Sequence, residues 1–155
     1  MSMRIATFAL ASFALLSVAS FAVAQQSGTA AEARAMLDRG AAALKANEAA
    51  ALVAFNDKAN KDYHDRDLYV FCYNMTDGTF IAHVNPAMMG KDVRTIKVGD
   101  DTLGQRLFDT INSTPAGAVG TVNYLFPKPG TTDPVPKESY VTRVGNTGCG
   151  VGYYK

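Results

Sequence analysis

The 155-residue sequence has no tryptophan, two cysteines and two histidines. Neither Cys72 nor Cys149 stands in a C-x-x-C, haem-attachment or zinc spacing, and His64 and His83 have no paired Cys/His partner in sequence. A metal site and a bound cofactor are therefore not expected. An excess of one charge is also missing: 15 Lys and Arg face 14 Asp and Glu, a formal net charge of +1. That balance argues against nucleic acid, whose binders need a basic stripe to displace counterions. Neither G-x-S-x-G nor H-E-x-x-H occurs, so no catalytic residues are expected. Internal repeats and long low-complexity tracts are absent. After residue 24 no long apolar run recurs, so no membrane span is expected in the remainder.

What the chain does have begins with a leader. Arg4 is the only charged residue before Glu32, and Ile5 to Phe21 is almost wholly Ala, Leu, Val, Phe and Ser. Ala22-Val23-Ala24 then places small residues where a signal peptidase reads them. The apolar run is shorter than the roughly 20 residues that span a bilayer comfortably. Residues 1–24 are expected to be a cleaved signal peptide. Residues 25–155 are expected to be one domain, periplasmic or secreted, with its core at 29–154. In such an oxidising compartment two isolated cysteines either form one disulfide or stay as buried apolar thiols.

Thr29-Ala-Ala-Glu32 reads as a capping box. Leu37, Ala41, Leu44, Ala51, Phe55 and Ala59 then recur at helical spacing, which predicts a long helix to about Asn60. Leu68 to Met75 is aromatic and β-branched, Thr76-Asp77-Gly78 is a turn, and Thr79 to Val84 returns as the second strand of a hairpin. The first strand is apolar on both faces, with Leu68, Val70 and Cys72 on one and Tyr69, Phe71, Tyr73 and Met75 on the other. Such a strand is covered on both sides. Asp100 or Asp101 is placed to cap a second helix carrying Leu103, Leu107, Phe108 and Ile111. Three more strands follow at 120–126, 138–144 and 149–154, with a proline-rich turn from Pro127 to Pro136. The order predicts an α+β fold, a long N-terminal helix on a five-stranded, mostly antiparallel sheet.

Leu68-Tyr-Val-Phe-Cys-Tyr-Asn-Met-Thr-Asp-Gly-Thr-Phe-Ile-Ala-His83 resembles the first hairpin of the single Cache domain, a PAS-like extracytoplasmic sensor module. Asn85-Pro86 with Gly90-Lys91-Asp92, then Gly120 to Pro127, Pro136 to Val141 and Gly148 to Tyr154, resemble its later motifs in order. Val84 stands where relatives usually carry Pro, Asn74 replaces a common Asp, and Cys149 lies near their usual Trp. The resemblance implies a PAS-like sheet with the helix on one face and a small pocket on the other. It also makes the first and last strands neighbours, so a Cys72–Cys149 disulfide is expected.

For function, the resemblance implies a soluble periplasmic sensor domain for a small organic anion, a carboxylate or amino acid-like metabolite. His83, Tyr124, Tyr140 and Ser139 are the expected hydrogen-bonding groups and Lys137 the cation. Phe71, Tyr73 and Phe126 are the expected apolar walls. Relatives run on into a membrane receptor, so the expected partner here is a separate receptor, kinase or transporter. A weak homodimer through the N-terminal helix is a further expectation. A ligand-free interaction module on the same fold is the alternative, and a small secreted enzyme ranks below both.

Overall fold

The computed structural model describes residues 27–155; the expected leader, residues 1–24, lies outside the described residues. The chain opens as α1 (Ala30–Ala46), and Thr29 and Glu32 close the capping box: Glu32 N donates to Thr29 Oγ1, and Thr29 N donates to Glu32 Oε2 at 2.8 Å. The long helix is in fact two. Asn47 leaves helical geometry with φ −162° and ψ 101°, and its Oδ1 accepts from Ala50 N to start α2 (Glu48–Asn56). An asparagine side chain competes well for such a cap, so the break falls there. The kink lets Phe55 of α2 turn inward beside Leu37 and Leu44 of α1, all three buried.

The sheet follows: β1 (His64–Asp65), β2 (Leu68–Asn74), β3 (Phe80–Ala82), β4 (Gly120–Pro127), β5 (Pro134–Val144) and β6 (Thr147–Tyr154). Its order is β1-β2-β6-β5-β4, with β3 also paired to β2, and every pairing is antiparallel. The five expected strands are present and β1 is a two-residue addition. Gly78, at φ +78°, makes the hairpin turn. β5 starts earlier than expected, inside the proline-rich stretch. β6 has run out there, since Lys137 already faces Tyr154, so Pro134 and Pro136 need no second ladder partner. α3 (Leu103–Ser113) is preceded by Thr102, which makes no side-chain cap bond; Asp101 instead pairs with Arg106 at 2.6 Å.

Side chains alternate across this sheet, and two apolar clusters result. Leu68, Val70, Cys72, Cys149 and Val151 meet α1 and α2 on one face. Phe71, Tyr73, Met75, Val122 and Val141 meet Leu103, Leu107 and Ile111 of α3 on the other. Each fully buried Leu or Phe contributes roughly 1.5–3 kcal/mol to folding. Cys72 faces Cys149 across β2 and β6, and the two are joined in a disulfide within the helix-side cluster. Among the described residues no helix is long and apolar enough to cross a membrane.

Candidate functional site

The face opposite α1 carries a partly open cavity. Tyr69 and Phe71 come from β2, Phe80 from β3, His83 from just beyond it, and Tyr124 and Phe126 from β4. Met88, Ile96, Leu103 and Leu107 close it from the loop after β3 and from α3. Its volume is about 40 Å³, against the roughly 10–15 Å³ that a single water needs, so the space suits only a few heavy atoms.

Within these apolar walls a few polar groups converge. Asn85 N donates to His83 Nδ1 at 2.9 Å, so the neutral imidazole carries its proton on Nε2. Burial pushes the His83 pKa down to about 4, and the ring is a neutral donor at pH 7. Tyr69 and Phe80 pack against it in edge-to-face contacts, each with centroids 5.3 Å away. Burial also raises the Tyr69 and Tyr124 phenols well above their ordinary range, keeping both protonated as donors. Tyr124 Oη lies 2.7 Å from Ser139 Oγ, which fixes its ring.

One layer behind stands Lys137, only 3% exposed. Its Nζ donates to Tyr154 Oη at a long 3.4 Å and lies over the rings of Tyr154, Tyr69 and Phe126, at 4.4, 5.1 and 5.4 Å. Burial pushes its pKa down to about 8, with Asp67 pulling the other way. At pH 7 the group is thus mainly an ammonium, held by ring faces and with no ion pair among the described residues.

Strand β6 makes this layering possible by presenting glycine on the cavity face. A Cβ at Gly150 would lie 2.3 Å from Phe71 Cζ, and one at Gly152 would lie 2.6 Å from Lys137 Cε and from Ser139 Oγ. Gly150→Ala is therefore expected to displace the Phe71 ring and destabilise the protein by about 1–3 kcal/mol. Thermal unfolding checks this; an unchanged melting temperature would show that the ring yields freely.

Of the residues expected from sequence, His83, Tyr124, Phe71 and Phe126 line the cavity, while Lys137 and Ser139 stand directly behind it. Two expectations need correction. Tyr140 points to the helix side and stacks on Tyr153 at 5.8 Å, because β5 sends Lys137, Ser139 and Val141 one way and Tyr140 the other. Tyr73 shares the cavity face but is completely buried deeper in, between Phe71, Phe80 and Phe108. Sequence reasoning missed Tyr69, although it lies two residues before Phe71 on the same strand face. It also missed Phe80, Met88, Ile96, Leu103 and Leu107 as walls. Among the described residues no cluster of three His, Cys, Asp or Glu could hold a metal ion.

Comparison with known proteins points one way. The model of the family described as single Cache domain 2 matches residues 20–154. A structure described as the periplasmic sensor domain of a chemotaxis protein is 27% identical, with a TM-score of 0.57 over 79% of this chain and 87% of its own. A methyl-accepting chemotaxis protein from Vibrio parahaemolyticus shares the fold, at 23% identity and a TM-score of 0.63 over 80% of this chain and 86% of its own. A Cache chemosensory domain, in a structure described as the basis of its carboxylic acid recognition, is 26% identical, with a TM-score of 0.57 over 79% and 85%. No curated protein sequence matches the chain.

Proposed function

Because the chain belongs to the single Cache domain 2 family, we propose that it is an extracytoplasmic binding module whose cavity takes a small organic anion, a carboxylate or amino acid-like metabolite. The observation that carries this reading is the buried Lys137 ammonium. It has no ion-pair partner among the described residues, yet it sits against two rings, Tyr69 and Phe126, that line a mostly apolar cavity. Buried charges are normally paired, so an anion in the cavity supplies what the fold leaves out. Tyr69 Oη, His83 Nε2–H and Tyr124 Oη are the donors that would orient its oxygens. The carboxylic acids recognised by one structurally similar domain support the ligand class.

The module works outside the cytoplasm after loss of residues 1–24, with residues 25–155 as the working domain. Its occupancy passes to a partner receptor, kinase or transporter.

The test is a titration with short carboxylates across pH. Affinity should be level from about pH 6 to 8, because His83 is already neutral there. Above about pH 8 it should fall up to tenfold per unit as free Lys137 loses its proton. Tyr69→Phe removes one donor to a charged oxygen and should weaken binding about tenfold or more. Affinity that holds constant to pH 10, and is the same in Tyr69→Phe, would remove the site.

A further inference from the structure

On the edge away from β6, strand β2 pairs with two short strands: β1 opposite Leu68 and Tyr69, and β3 opposite Cys72 and Tyr73. The end of α2 is fastened to both. His64 of β1 donates from Nε2 to Phe55 O at 3.0 Å, since a carbonyl can only accept. Asn56, the last residue of α2, binds the β3 segment at two points. Its Nδ2 donates to Ile81 O at 3.0 Å, and its Oδ1 accepts from His83 N at 3.2 Å. Nδ2 also donates to Leu52 O at 3.0 Å, one turn back in the helix, which sets the orientation of the carboxamide.

His83 stands where the strand pairing has stopped. The last β2–β3 pair is Cys72 with Ala82, one residue short of the histidine. Its backbone N–H is taken by Asn56 and its ring Nδ1 by Asn85 N, at 2.9 Å. The imidazole can aim Nε2–H at the cavity only as well as its backbone and its ring are held. Asn56 holds the first and Asn85 the second. Asparagine is the side chain this needs, because one planar group offers a donor to Ile81 O and an acceptor to His83 N. Leucine, of similar size, offers neither, and aspartate lacks the donor. Asn56 itself lines no part of the cavity.

We propose that Asn56 is a positioning residue of the anion site, setting from the end of α2 where His83 presents Nε2–H to the cavity. This rests on the anion reading above. Its effect on binding passes through His83 alone. The coupling is reciprocal. An anion that accepts from Nε2 steadies His83, and with it the last turn of α2. That turn is where occupancy of the cavity reaches the helical layer.

Nitrogen-15 NMR of the imidazole rings and propanoate calorimetry test this on the purified, untagged protein. His64 and His83 are its only histidines. His64 reports on the same helix end through Phe55 O, and so serves as the internal control. Asn56 is exposed, so Asn56→Ala leaves the core intact. The variant should turn the His83 ring from a single Nε2–H tautomer into a mixture, with the His64 ring as in the wild type. Its propanoate affinity should fall roughly three- to tenfold, the effect of one lost hydrogen bond. In a His83→Ala background the same substitution should cost nothing further, since residues acting through one contact are not additive. An unchanged His83 ring would overturn the proposal. So would equal changes at both histidines, the mark of a helix end that merely frays, or the same loss of affinity with and without His83. The expected His83 response together with no saturation of the wild type by propanoate would keep the positioning role and count against the anion reading alone.

Discussion

Replacing Cys72 and Cys149 together by alanine should lower stability by about 4 kcal/mol, because the disulfide closes a loop of 77 residues in sequence. For a domain of this size that is a fall in melting temperature of roughly 15 °C. The location adds to the loss. Both cysteines are buried between the sheet and α1, in the cluster with Met36, Leu37 and Phe55. Reduction by a strong thiol should act in the same direction as the double substitution. Calorimetric melting of oxidised, reduced and substituted protein checks this. A shift of only a few degrees in all comparisons would mean that the β2–β6 pairing and α1 packing hold the domain without the crosslink.

Lys137→Met should do something a purely structural lysine would not: raise the stability of the free protein while abolishing anion binding. Moving the Lys137 pKa from 10.5 to about 8 corresponds to a penalty of roughly 3 kcal/mol for the buried ammonium. Below pH 8 the lysine is protonated in both folded and unfolded chains, so the full penalty is present at pH 7. Between pH 8 and 10.5 the folded chain gives up the proton while the unfolded chain keeps it, and wild-type stability rises with pH. Methionine fills nearly the same volume among the Tyr69, Phe126 and Tyr154 rings without the charge. The variant should therefore lead the wild type by a few kcal/mol at pH 7, and that lead should close towards pH 10.5. Denaturant unfolding at pH 7, 9 and 10.5 measures it. A variant less stable than wild type at pH 7 would show that the ring contacts outweigh the desolvation of the ammonium.

The sheet was legible because its strands carry strong local signals. The two-faced apolar pattern from Leu68 to Met75 separated Tyr69, Phe71 and Tyr73 from Leu68, Val70 and Cys72, as the structure does. Which set faces a cavity depends on the side that α1 takes, and a strand's own pattern carries no information on that. Placing both Ser139 and Tyr140 at one site overlooked the alternation of β5, a rule the sequence itself supplied. The helix break had a local cause, the cap at Asn47, but the apolar stripe from Leu37 to Phe55 runs across it and concealed it. The walls from Met88, Ile96 and α3 were beyond reach, since they depend on how the segment after His83 folds back over the sheet. The role of β6 was hidden for another reason: Gly148, Gly150 and Gly152 act by leaving room, and only the neighbours show what fills it.

The most direct test of the anion site is a calorimetric titration of the wild-type protein and Lys137→Met, side by side at pH 7, with a series of two- to four-carbon carboxylates. At least one carboxylate should bind the wild type saturably at one site per chain and give no heat of binding with Lys137→Met. Binding of equal strength in both proteins, or no saturation of the folded wild type by any member of the series, would contradict the account.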